Sequence, residues 1–184
     1  MYLTKNLFIS ILFFSALLAC EQETGAGYED WDTNRDDLIG DEEFYESYRR
    51  LGHYEEWDLD DDGYISDSEY FNAYYSLWDK DQDGQLDEQE WDTGLEDFAG
   101  DEYVGVLAGK FADWDTDQDN QIDVEEFNQG WVQTDYYSQR DQDASQYLDK
   151  DEFYLDMFTV WDTDGDGNIE RAEYEDRQYR FEKK

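Results

Sequence analysis

The chain has 184 residues, with 52 acidic against 13 basic side chains and a formal net charge of −39. That charge excludes nucleic acid as a partner, because phosphates and carboxylates repel. Aromatic residues make up 18% and apolar residues 39%, which is too much apolar material for a disordered acidic tail and enough for a core.

The first twenty residues, MYLTKNLFISILFFSALLAC, differ from everything after them. Lys5 precedes an apolar run from Leu7 to Leu18 that is too short to cross a bilayer. A basic start, a short apolar run and small residues at its end predict an export leader over residues 1–19. The ending Leu17-Leu18-Ala19-Cys20 resembles a bacterial lipobox. The resemblance implies cleavage before Cys20, lipidation of Cys20, and anchorage to a bacterial membrane on the periplasmic side or the cell surface. Several acyl chains on one residue would make that anchorage stable. The competing expectation is an ordinary leader with a chance cysteine. Residues 20–27 read as a short linker. Cys20 is the one cysteine, so no disulfide can staple the chain internally. The leader holds one of the 13 basic residues and no acid, leaving 12 against 52 and a net charge of −40.

From residue 28 onward one twelve-residue pattern recurs six times. Acids or amides stand at positions 1, 3 and 5. A residue that tolerates positive φ stands at 6, and a Glu closes the pattern at 12. The carbonyl of position 7 adds another oxygen. The first copy, 32–43, has Asp32, Asn34, Asp36, Leu38 and Glu43, with Asp37 at the turn. The second, 58–69, has Asp58, Asp60, Asp62, Gly63, Tyr64 and Glu69. The third, 79–90, has Asp79, Asp81, Asp83, Gly84, Gln85 and Glu90. The fourth, 115–126, has Asp115, Asp117, Asp119, Gln121 and Glu126, with Asn120 at the turn. The fifth, 141–152, departs most: Asp141, Asp143, Ser145, Tyr147 and Glu152, with Gln146 at the turn. It is expected to be weak or empty. The sixth, 162–173, has Asp162, Asp164, Asp166, Gly167, Asn168 and Glu173. Such clusters of oxygens are what a hard cation such as Ca²⁺ takes as ligands, and a terminal Glu favours Ca²⁺ over Mg²⁺.

The flanks repeat as well. Trp31, Trp57, Trp78, Trp114 and Trp161 precede five of the loops, and Arg140 precedes the fifth. An aromatic stands four residues before each loop, namely Tyr28, Tyr54, Tyr75, Phe111, Tyr137 or Phe158. Another follows each loop: Phe44, Tyr70, Trp91, Phe127, Phe153 or Tyr174. At helical spacing these share a face and predict a core rather than a sugar-binding surface. Position 8 is apolar in every copy: Ile39, Ile65, Leu86, Ile122, Leu148 and Ile169.

Over residues 28 to 175 the chain resembles the EF-hand superfamily. The resemblance implies an all-α protein of helix-loop-helix units, four to six bound Ca²⁺ ions, and ligands at the loop residues named above.

The loops start at 32, 58, 79, 115, 141 and 162, so the last three repeat the first three at a shift of 83. This predicts a duplicated three-hand unit, 28–99 and 100–184. The steps of 21 residues leave only Tyr70 to Trp78, or Phe153 to Trp161, between loops. One short helix must then leave one loop and enter the next, so those two loops must pair elsewhere. The step of 36 between the third and fourth loops resembles the spacing within calmodulin-like pairs and predicts that this pair joins the halves. There Trp91, Leu95 and Phe98 mark an exiting helix, Gly100 a break, and Val104, Leu107, Phe111 and Trp114 an entering helix. The steps of 26, holding Gly52 or Gly130, fit either a bent helix or a helix-turn-helix.

Three uses of calcium follow. One is a buffer or calcium-stabilised surface module. A second is a sensor opening an apolar groove to an unknown protein partner, against which stands the presence of only Met1 and Met157. The third is capture of another metal, since exported bacterial EF-hand chains include lanmodulin-type lanthanide binders. Those carry Pro at loop position 2, and this chain has no Pro. Catalysis is not expected: His53 is the lone histidine, and the sequence shows no Ser/His/Asp set, thiol nucleophile or phosphate loop.

Overall fold

Each loop ends by starting a helix. Where residue 9 is Ser or Asp, its side chain accepts from the N–H of residue 12 while the Glu at 12 reaches back to the N–H of residue 9. Ser66 with Glu69, Asp123 with Glu126 and Asp149 with Glu152 form such capping boxes. The computed structural model describes residues 27–98, 107 and 109–182. The leader, Cys20, the linker as far as residue 26, Gly100 and Val104 lie outside the described residues.

In chain order the helices are Tyr28–Trp31 (α1), Asp41–Tyr48 (α2), His53–Trp57 (α3), Asp67–Trp78 (α4), Glu88–Phe98 (α5), Phe111–Trp114 (α6), Val124–Val132 (α7), Lys150–Trp161 (α8) and Arg171–Glu182 (α9). The protein is all-helical over the described residues, as the sequence predicts. α4 and α8 each leave one loop and enter the next. The first step of 26 is a helix-turn-helix: a 3₁₀ turn, Arg49–Leu51, ends at Gly52 with φ 80°, and α3 follows. In the second step α7 runs straight through Gly130, and residues 133–140 form turns. The helix expected to enter the fourth loop from Val104 is interrupted instead. Gly109 takes φ 76°, Lys110 N–H bonds to Leu107 O, and α6 begins only at Phe111.

Three one-residue antiparallel bridges pair the loops: Ile39 with Ile169, Ile65 with Leu148, and Leu86 with Ile122. Each bridge has both of its N–H···O bonds at 2.9–3.0 Å. The central pair predicted from the step of 36 is present, and around it the pairing is nested: third with fourth, second with fifth, first with sixth. Every bridge therefore joins the first three loops to the last three. Exchanging the halves by the shift of 83 turns the third–fourth pair into the sixth–first pair and the second–fifth pair into itself. The duplication has the closure of a twofold dimer written into one chain.

The core follows that symmetry. Around the third–fourth pair pack Trp78, Trp91, Trp114, Phe127 and Trp131, with Trp91 and Trp114 centroids 4.6 Å apart. Around the first–sixth pair pack their equivalents Trp161, Tyr174, Trp31, Phe44 and Tyr48, with Trp31 stacked on Trp161 at 5.4 Å. Edge-on and offset contacts of this kind each add about 0.5–1.5 kcal/mol beyond burial itself. The flanking aromatics are core, and a sugar-binding role for them is set aside by their burial. Two of the indoles lie where a helix has no side chain. A Cβ on Gly94 would meet Trp78 Cδ2 at 2.1 Å, and one on Gly130 would meet Trp114 Cε3 at 2.1 Å.

Candidate metal centre

The loops turn twice through left-handed backbone. At position 6, φ is 67° at Asp37, 88° at Gly63, 84° at Gly84, 68° at Asn120, 77° at Gln146 and 88° at Gly167. The non-glycine residues there adopt the turn that the pattern demands. Position 4 does so too, at Arg35, Asp61, Gln82, Gln118, Ala144 and Gly165, all with φ of 57–72°. Those residue types carry no common signal in the sequence.

These turns point successive N–H groups inward, and the carboxylates gather on them. Asp58 Oδ1 accepts from Asp62 N–H at 3.0 Å and its Oδ2 from Gly63 N–H at 2.9 Å. Asp60 accepts from Asp62 N–H, and Asp62 from Tyr64 N–H. Glu69 Oε1 accepts from Leu59 and Asp60, and its Oε2 from Ser66. The same net recurs at Asp79, Asp81, Asp83 and Glu90, and at Asp115, Asp117, Asp119 and Glu126. It recurs at Asp162, Asp164, Asp166 and Glu173, and at Asp32, Asn34, Asp36 and Glu43. Carboxyl oxygens of Asp32, Asp36 and Glu43 lie within 4.8 Å of one another. So do those of Asp58, Asp60 and Glu69; Asp79, Asp81 and Glu90; Asp115, Asp117 and Glu126; and Asp141, Asp143 and Glu152. The first acid is buried at Asp32, Asp58 and Asp115. Leu38, Tyr64, Gln85, Gln121, Tyr147 and Asn168 stand at position 7, where the backbone carbonyl is the expected ligand.

Such a donor set is all oxygen, anionic and hard. It fits Ca²⁺, which takes six to eight oxygens, and offers no nitrogen or sulfur to a softer ion. Two segments of the chain match a family model for the EF hand. They are residues 110–131 and 156–176, which carry the fourth and sixth loops with their flanking helices. An EF-hand match implies calcium binding at those segments. No curated protein matches the chain.

Tyrosines tie the EF-hand-like loops to their partners. Tyr75 Oη donates to Gly84 O at 2.9 Å and lies 3.0 Å from Ile122 O, the bridge carbonyl of the facing loop. Tyr54 stands likewise between Gly63 O and Leu148 O, and Tyr28 between Asp37 O and Ile169 O. The sequence assigned these residues to the core for their rings and did not read the hydroxyls. Tyr75→Phe is expected to lower stability by about 1 kcal/mol, read in thermal melts. The change should also weaken metal binding at 79–90 and 115–126 together, because one hydroxyl spans both loops.

The closing glutamates carry a pH signature. Partial burial pushes Glu43, Glu69 and Glu126 up, but the N–H donors on them outweigh that and hold all three below the ordinary value of 4.5. Thr33 and Thr116 hydroxyls help at Glu43 and Glu126. A depressed folded value contributes stability above the unfolded pKa, and that stability is lost as pH falls through the folded one. Melting temperature should therefore hold from pH 7 to about 5 and fall below 4.5. A melting temperature that rose on acidification would contradict this. At the sixth loop the neighbouring Glu173 carboxyl pushes Glu170 up to about 7.

Proposed function

We propose that the chain is a lipid-anchored, exported calcium-binding protein of the EF-hand superfamily, acting as a buffer or a calcium-stabilised surface module. The observation that carries this reading is the recurring loop net, in which three carboxylates converge within 4.8 Å in each of five loops. Lys150 and Arg171, each at position 10 of its loop, are engaged with Glu55 and Glu29 on the surface. Bound Ca²⁺ supplies positive charge that the sequence lacks. The leader and Cys20 support export and anchorage through the lipobox resemblance alone.

A buffer or structural module differs from a sensor in what binding changes. Here the candidate groove-formers are packed: Trp31, Trp78, Trp91 and Trp161 are nearly inaccessible. A sensor would have to expose them on loading. Calorimetric titration of the metal-stripped chain with Ca²⁺ tests the proposal. Four to six ions bound at about 10⁻⁴–10⁻³ M would fit a surface module, and micromolar binding would fit storage or scavenging. No heat of binding would end the calcium reading. Parallel titration with La³⁺ tests the alternative of lanthanide capture, for which only a very large preference would count.

A further inference from the structure

The duplication supplies its own control. Where the first half has Trp57 and Ala73, the second has Arg140 and Asp156. Arg140 immediately precedes the fifth loop, and Asp156 lies one helical turn beyond Glu152, which closes it. Their side chains are 17% and 3% exposed, and Arg140 Nε stands 2.6 Å from Asp156 Oδ1. Arg140 Nη1 donates to Tyr136 O at 2.7 Å, and its guanidinium carbon sits 3.5 Å from the Tyr136 ring centroid. Tyr70, from the exit helix of the second loop, donates to Asp156 Oδ2 at 2.6 Å. A buried ion pair thus joins the two ends of the fifth hand and reaches across to the second.

Inside the same loop Ser145 replaces the carboxylate of position 5. Its hydroxyl donates to Tyr147 O at 2.9 Å, and Tyr147 N–H lies 3.2 Å from Ser145 Oγ. Tyr147 O is the carbonyl that would face an ion. In the other hands position 5 is an acid that can only accept. The fifth hand therefore has one carboxylate fewer than the second, third, fourth and sixth, a hydroxyl proton on its seventh carbonyl, and a cation locked at its threshold. Asp141, Asp143 and Glu152 still converge, so the loop keeps its shape.

We propose that the hand at 141–152 takes no calcium and is a metal-independent scaffold for its neighbour. Ser145 and the Arg140–Asp156 pair do there what an ion does elsewhere, and through the Ile65–Leu148 bridge they hold loop 58–69 ready for its metal. Arg140, Asp156 and Ser145 are positioning residues, and they set the count of ions at five. The inference rests on the calcium reading of the other loops.

Hydrogen exchange by mass spectrometry on the full chain in mild detergent, with chelator and with calcium, tests it. With chelator, the segments around Ile65 and Leu148 should exchange at least about tenfold more slowly than those around Ile39, Ile169, Leu86 and Ile122. Calcium should slow exchange in five loops and leave 141–152 unchanged. Asp156→Asn should abolish the protection at Ile65 and Leu148 in chelator, while calcium still restores the helical circular dichroism. Ser145→Asp with Gln146→Gly leaves the Arg140–Asp156 pair in place: it should add one ion to the calorimetric count and make 141–152 respond to calcium. Equal exchange at all three bridges in chelator, or a calcium response of 141–152 in the unchanged chain, would overturn the proposal. Failure of the calcium reading looks different, since calcium would then slow exchange in no loop at all.

Discussion

Stripped of calcium, the chain is expected to lose most of its tertiary order, and its thermal transition should broaden and drop by tens of degrees. A ligand at a hundred times its dissociation constant adds about 2.7 kcal/mol per site. Four to six sites then add about 11–16 kcal/mol, as much as the whole stability of an ordinary domain at 5–15 kcal/mol. Metal removal also restores the repulsion among acids at a net charge of −39. Near-ultraviolet circular dichroism of the buried tryptophans, followed during titration with a chelator, measures this directly. An unchanged spectrum and melting temperature would show that the aromatic core holds itself together, and the loops would then be passengers.

The second large effect concerns two glycines. Gly94 and Gly130 lie inside helices, where Gly→Ala ordinarily stabilises by up to about 1 kcal/mol. Here the sign should reverse. A methyl at either position would lie 2.1 Å from a ring carbon of Trp78 or Trp114. Both indoles are boxed in: Trp78 meets Trp91 and Phe127, and Trp114 meets Trp91 and Trp131. Neither ring can withdraw, so overpacking of about 3 kcal/mol is expected at each site. For a domain of this size that is a fall of roughly 6–12 °C in melting temperature. Gly130→Ala and Gly94→Ala made together should not add fully, because both indoles touch Trp91. A variant that melts at or above the parent temperature would mean that the rings have room to move.

Much of the site was legible because each ligand type has a fixed offset. Asp58 to Glu69 could be read from spacing alone, and the structure brings carboxyl oxygens of Asp58, Asp60 and Glu69 within 4.8 Å of one another. The shared helices α4 and α8 were legible for a similar reason: Tyr70 to Trp78 leaves no room for a turn. Features that depend on contacts between distant residues were not legible. Gly130 looks like a helix breaker in sequence and is a socket for Trp114. Arg140 looks like a lost tryptophan and is half of a buried ion pair whose other half, Asp156, looks like a surface acid. The interruption at Gly109 cuts a stripe of apolar residues that otherwise reads as one helix. The nested pairing was hidden because periodicity shows that loops need partners without saying which.

Nesting has a consequence for the route by which the chain folds. Leu86 and Ile122 are 36 residues apart, Ile65 and Leu148 are 83, and Ile39 and Ile169 are 130. Closing the widest of these directly from the open chain carries about 1 kcal/mol more loop entropy than closing the narrowest. Once the innermost pair has met, the next closure spans only two short connectors, and the last two more. The chain should therefore close like a zip, from the middle of the sequence toward both ends. Substitutions at Leu86 or Ile122 should slow folding, whereas Ile39→Val or Ile169→Val should mainly speed unfolding. A ribosome that has made only the first three hands has made no pair at all, so nothing can latch until the fourth loop emerges.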